Sequence, residues 1–147
     1  MSFDPTMALA PEAFRRRERW AARVAVAAAR VLARRPPKSI AAILTTLSRR
    51  ARPAGFEQAS RARAVVTGTS LACASPQGCL ARSIATALLC RMGGTWPTWC
   101  AGVRTLPPFG AHAWVTAEGR EVGEPTPPGY HRVLLQVPPA REKDGPT

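Results

Sequence analysis

The glycine pair Gly93-Gly94 divides this 147-residue chain into two parts with different hydrophobic periods. Before the pair, apolar residues recur every three or four positions, which is the spacing of a helix with one buried face. After it, aromatic and β-branched residues fill short segments bounded by Gly and Pro, which is typical of strands. Helices that precede strands, rather than alternating with them, predict an α+β fold with a small antiparallel sheet.

The first part of the chain predicts four helical segments. In the first, Trp20, Val24, Ala27 and Val31 recur at helical spacing and indicate an apolar face. Ser75 is a suitable N-cap for the last segment, and Pro76 suits its first turn. Separated by Pro and Gly, the segments lie at 12–35, 39–47, 56–74 and 75–92.

The second part predicts four strands, of which the second and third are joined by a hairpin turn at 117–119. The strands lie at 95–105, 111–117, 120–124 and 130–137. We therefore expect three regions: a basic N-terminal helical region (1–54), a core in which a cysteine-bearing helix packs on the sheet (55–137), and a disordered tail (138–147).

Positive charge is concentrated in the front half of the chain. Residues 1–63 carry 14 Lys/Arg and 4 Asp/Glu, a net charge of +10, whereas residues 64–147 carry 7 and 5, a net charge of +2. Such a region either binds an acidic partner or presents a solvated arginine face. Trp20 is its only Trp or Tyr, so it lacks a stacking platform for bases, and we expect no nucleic-acid binding.

The apolar stretches and the cysteines predict a cytoplasmic protein. Residues 24–29 (VAVAAA) form the most apolar early stretch, which is too short for a membrane span or a secretory signal. Four cysteines in the cytosol should be reduced thiols. Their spacing contains no Cys-x-x-Cys pair, so we expect neither a metal site nor another cofactor.

Cys79 is the candidate nucleophile, although a buried structural cysteine is the common alternative. A thiol in the first helical turn feels the positive end of the helix dipole, which favours the thiolate, and Gly78 before it would leave room for a substrate. His112, at the start of a strand, could act as its base, and a carboxylate beyond the hairpin could orient the imidazole. That carboxylate is Glu124 or Glu121, because alternation along a strand lets only one of them face His112, and Glu118 falls in the turn.

Three further residues are candidates for substrate binding. Arg82 could bind a carboxylate, or it could serve in a structural pairing. Phe109 lies in the loop TLPPFG (105–110), which could line a peptide cleft or simply connect two strands. Trp114 shares a strand face with His112 and could shield the site from water.

The stretches CLARSIATALLCRMGG, WCAGVRTLPPFGAHAWV and EGREVGEP resemble the lasso-peptide leader peptidases, whose catalytic domain belongs to the transglutaminase-like, papain-like cysteine protease superfamily. The resemblance covers about residues 55–137. It implies a catalytic triad of Cys79, His112 and an acid, here Glu124. The usual acid in the family pattern is Asp, so Glu124 is a departure, and Glu121 stays a competitor.

The resemblance implies that the chain cleaves a precursor peptide between its leader and its core. It also implies a small partner protein that binds the leader, and a separate ATP-dependent macrolactam cyclase that joins the freed amine to an acidic side chain. The chain itself has no P-loop pattern for that second reaction. Two alternatives stay open: amine-directed acyl transfer on the same fold, and a non-enzymatic basic protein that binds nucleic acid.

Overall fold

A computed structural model describes residues 14–124, 127 and 129–140. Residues 1–13, and 141–147 of the predicted tail, lie outside the described range. The helices are α1 (Arg16–Leu32), α2 (Pro37–Ser48), α3 (Phe56–Thr69), α4 (Leu71–Ala74) and α5 (Cys79–Met92). The strands are β1 (Arg52–Pro53), β2 (Thr95–Trp96), β3 (Thr98–Arg104), β4 (Ala111–Ala117), β5 (Arg120–Glu121) and β6 (His131–Val137).

The predicted α+β fold is confirmed. Strands β5, β4, β3 and β6 form an antiparallel sheet in that order, and the helices precede it in the chain. The pairing of β4 with β5 forms the predicted hairpin, in which Thr116 lies opposite Glu121. A second, parallel pair, β1 with β2, was not predicted from the sequence, because two residues are too few to show any alternation.

Four predicted boundaries are corrected. The strand predicted over 95–105 is two strands, β2 and β3, which are separated at residue 97 and lie in different sheets. The helix predicted over 56–74 is two helices, because the hydroxyl of Ser70 accepts a hydrogen bond from the backbone N–H of Cys73 and begins α4. The strand predicted over 120–124 ends at Glu121, because Gly123 adopts a φ of +69° that a strand does not continue. Ser75 precedes a short 3-10 turn (Pro76–Gly78), so it is not the N-cap of α5.

The predicted apolar face of α1 is wrong. Trp20, Val24 and Val31 are 66%, 54% and 63% exposed. The buried residues of α1 are Ala22, Ala25, Val26 and Ala29, which lie on another face of the helix. Because these side chains are small, α1 packs closely against α3 and α5.

Two indole hydrogen bonds link the four-stranded sheet to its neighbours, one to helix α5 and the other to strand β2. Trp99 of β3 donates from Nε1 to Oγ of Ser83 on α5, at 3.1 Å. Trp96 of β2 donates to the carbonyl oxygen of Val137 at the end of β6, at 3.0 Å. Both tryptophans are fully buried, together with Ile84 of α5. The start of α5 is therefore fixed beside the sheet. No described helix combines the length and the apolar character that are needed to cross a membrane.

Candidate active site

Cys79 is the first residue of α5, and the preceding turn is packed tightly under it. Gly78 is buried, and a Cβ atom at this position would overlap the carbonyl oxygen of Ala72. Gly78 is thus needed for close packing within the chain, and it does not leave the room for a substrate that the sequence suggested. No side chain caps the start of α5 among the described residues, so the N–H groups of its first turn are not engaged by a cap.

The environment of Cys79 favours its thiolate. A hydrogen bond with His112 lowers the pKa of the thiol below its ordinary value, against the opposing effect of partial burial. The backbone N–H of Ala113 and the positive charge of Arg82 act in the same direction as His112. Burial raises the pKa of Cys90 and Cys100 to about 12, so these thiols stay protonated at neutral pH.

His112 is buried between Cys79 and Glu124. Its Nε2 lies 3.1 Å from Oε2 of Glu124, and the same ring also interacts with the thiol of Cys79. The hydrogen bond with Cys79 and then the contact with Glu124 raise the pKa of His112 from 6.5 to about 9. At neutral pH the site therefore holds an imidazolium beside a thiol whose pKa is lowered, which is the charge state of a cysteine nucleophile.

The contact between His112 and Glu124 is an ion pair and not an aligned hydrogen bond. The two atoms are close, but the direction of the N–H does not suit a bond, and Nε2 has no hydrogen-bond partner among the described residues. Burial alone would raise the pKa of Glu124, but His112, Arg63 and Arg82 together lower it below its ordinary value. Glu124 is therefore a buried carboxylate that stays ionised.

Arg82 supports the turn in front of Cys79. Its Nη1 donates to the carbonyl oxygens of Cys73 and Ser75, at 2.9 and 3.3 Å. These bonds correspond to the structural pairing that the sequence left open, and they occupy part of the guanidinium. Arg82 also lines a small cavity behind the site together with Glu124 and Arg63.

Arg63 of α3 was missed by the sequence analysis. It is one of many arginines in the basic front half of the chain (residues 1–63), and nothing in its local pattern distinguishes it from them. Only the turn at Gly123 brings Glu124 beside it, and a Cβ atom at Gly123 would lie 2.5 Å from Nε of Arg63.

A second histidine and glutamate lie directly beside the first pair. Nδ1 of His131 is 3.3 Å from Oε1 of Glu121, and the ring of His131 stacks on His112 with 4.6 Å between centroids. Of the two carboxylates that the sequence left open, Glu124 contacts His112 and Glu121 contacts His131. His112, Glu124 and His131 each offer a metal-ligand atom within 4.8 Å of one another.

The two aromatic candidates lie in different environments. Trp114 is buried, and its ring stacks with both His112 and His131, at 5.7 and 4.8 Å between centroids. It therefore forms part of the support for the imidazoles. Phe109 is 72% exposed in the loop between β3 and β4.

The model of the transglutaminase-like superfamily matches residues 22–136 of the chain. The match includes Cys79, His112 and Glu124, and it begins within α1, upstream of residue 55, where the sequence analysis placed the start of the core. No curated protein and no solved structure gives a match.

Proposed function

Because the chain belongs to the transglutaminase-like superfamily, we propose that it is a cysteine peptidase that cuts the leader from a ribosomally made precursor during lasso-peptide maturation. The observation that carries this proposal is that His112 lies between Cys79, the first residue of α5, and the carboxylate of Glu124. The leader-peptidase specificity rests on the sequence resemblance of residues 55–137.

The proposed reaction uses the charge state of the site. The Cys79 thiolate attacks the scissile carbonyl carbon, and the His112 imidazolium gives its proton to the leaving amine, which becomes the N-terminus of the core peptide. The leader is then held as a thioester on Cys79. His112 takes a proton from the attacking water, and hydrolysis frees the leader carboxylate and the thiol.

The start of α5 supplies a donor for the oxyanion. The backbone N–H of Cys79 is the first of the helix, where no side chain caps it. It is suited to stabilise the negative oxygen that develops when the carbonyl is attacked. Glu124 keeps the imidazole charged while this happens.

The positive charge of the N-terminal helices favours binding of an acidic partner. In this proposal they contact the leader or the small leader-binding protein, and the ATP-dependent cyclase acts afterwards on the released core. Arg34 and Arg35 are exposed just after the end of α1. Charge reversal at these two residues should then weaken binding of the leader-binding protein and make that binding less dependent on salt concentration.

A mass-spectrometric cleavage assay tests the proposal. The protein is incubated with the precursor peptide encoded beside its gene, with and without the leader-binding protein. A single cut that Cys79→Ala and His112→Ala both abolish would support the proposal, and Glu124→Gln with Glu121→Gln as its matched control identifies the acid. A product joined to an added amine would favour acyl transfer. An intact precursor in the presence of folded protein and partner would contradict the peptidase.

A further inference from the structure

A cavity of about 390 Å³ opens directly beside the candidate nucleophile. Cys79 and His112 form part of its lining, and its walls come from α2, α5 and the strands β3, β4 and β6. A water molecule takes up about 30 Å³ in the liquid, so the cavity has the volume of several waters. That volume is large enough for any amino-acid side chain. A larger groove of about 700 Å³, beside Arg17 and Met92, does not include the residues of the site.

The lining of the cavity is almost entirely apolar. The side chains that form it include Ile40, Leu80, Trp99, Val103, Leu134 and Leu135. The indole N–H of Trp99 is already bonded to Ser83, so it offers no donor to a ligand. Arg35, an exposed residue, is the one charged group in the lining besides the pair of Cys79 and His112. A polar side chain against these apolar walls would lose water without gaining a hydrogen-bond partner from them.

The position of the cavity restricts which part of a peptide reaches it. The scissile carbonyl must lie against Sγ of Cys79, and an extended peptide advances about 3.3 Å per residue. A side chain in the cavity therefore belongs to a residue within about two positions of the cut. We propose that the cavity is a specificity pocket that takes a large apolar side chain, such as that of Leu or Phe, next to the scissile bond. This inference rests on the proposed function.

Helix α2 completes this pocket. Ile40 is buried, and Pro37 and Arg35 lie at or before the first turn of the same helix. Leu134 of β6, which is 64% exposed, also contributes to the lining. The N-terminal region thus supplies part of the substrate cleft, in addition to any surface it offers to a partner.

Cleavage of varied precursors tests the inference in the full-length protein with its leader-binding protein. Each of the two residues before the cut and the first after it is changed in turn to Leu, Phe, Asn or Ala. At one position we expect Leu to raise kcat/KM roughly 10- to 100-fold over the isosteric Asn. Equal rates for Leu and Asn at all three positions would overturn the pocket while leaving the peptidase intact.

Two variants of the lining make the assignment specific. Ala101→Leu fills the cavity, so cleavage of the Phe precursor should fall about tenfold or more relative to the Ala precursor. Leu134→Asn changes a largely exposed side chain, so it should fold, and it should reduce the preference for Leu over Asn. An unchanged preference in a folded Leu134→Asn protein would contradict the proposal.

Alkylation of Cys79 provides a readout that does not need peptidase activity. The rate of alkylation is followed by the mass of the intact protein, for iodoacetamide and for an iodoacetamide that carries a phenethyl group on its nitrogen. The Cys79→Ala variant identifies the labelled thiol. The phenethyl reagent should react several-fold faster, and Ala101→Leu should remove that advantage. If the protein cuts no precursor but the phenethyl reagent still reacts faster than iodoacetamide, the proposed function is refuted and the pocket is not. Equal rates for the two reagents would count against the pocket.

Discussion

Replacing Glu124 by Gln should lower the pKa of His112 and shift the alkaline limit of activity to lower pH. Glu124 and Cys79 together raise that pKa from 6.5 to about 9, which corresponds to about 3 kcal/mol in favour of the imidazolium. Cys79 contributes the largest part, so we assign about 1 kcal/mol to Glu124. Its removal should move the pKa of His112 down by about one unit.

The sign of this effect follows from the charge of the carboxylate. A negative group stabilises the imidazolium, so the charged form persists up to about pH 9 in the native protein. Without it, His112 loses its proton at lower pH, and the leaving amine then lacks its acid. We expect kcat/KM to fall about twofold at pH 8 and about fivefold at pH 9, and further if the imidazole also loses its place beside the thiol.

The measurement is a pH profile of precursor cleavage for the wild type and for Glu124→Gln, with the fold checked by circular dichroism. Glu121→Gln is the matched control, because it removes the same charge from the neighbouring pair with His131. The alkaline limb should move for Glu124→Gln and much less for Glu121→Gln. An alkaline limb at the same pH in all three proteins would refute the assignment of Glu124 to His112.

Three stability predictions follow from packing. Trp99→Ala should cost about 3–5 kcal/mol of unfolding free energy in urea titrations, whereas Trp20→Ala, at 66% exposed, should cost under about 0.5 kcal/mol; equal losses would contradict the described face of α1. Gly78→Ala should destabilise the fold and slow alkylation of the nucleophile, whereas Gly55→Ala has open space and should do neither. Arg82→Ala should lose about 1–3 kcal/mol, because two partly buried carbonyl oxygens lose a charged donor, and an unchanged urea midpoint would oppose that role.

The sequence indicated which residues of the candidate site lie together better than it indicated their surroundings. Cys79 and His112 stand out locally, one at a helix start and the other at a strand start, and the structure brings them together. The sequence could not decide between Glu121 and Glu124, because residues 120–124 were predicted to form one strand. The chain turns at Gly123 with a positive φ, so alternation no longer decides which carboxylate faces the histidine.

The face of α1 shows the same limit in the helical layer. Hydrophobicity favoured Trp20, Val24 and Val31, yet the buried face is rich in alanine. A close contact between helices selects small side chains, and which helix comes close is a property of the whole fold. For the same reason no local pattern indicated that Ile40 would lie in the lining of a cavity that also contains Cys79.

The arginines behind the site explain how a buried glutamate can stay ionised beside His112. Desolvation alone would raise the pKa of Glu124 and favour a neutral carboxyl, which could not hold His112 as an imidazolium. Arg63 and Arg82 oppose desolvation, and both line the small cavity that Glu124 also lines. Arg63 belongs to the basic front half of the chain, so that half includes more than a solvated face or a docking surface. At least one of its positive charges supports the ionisation of Glu124 in the candidate active site.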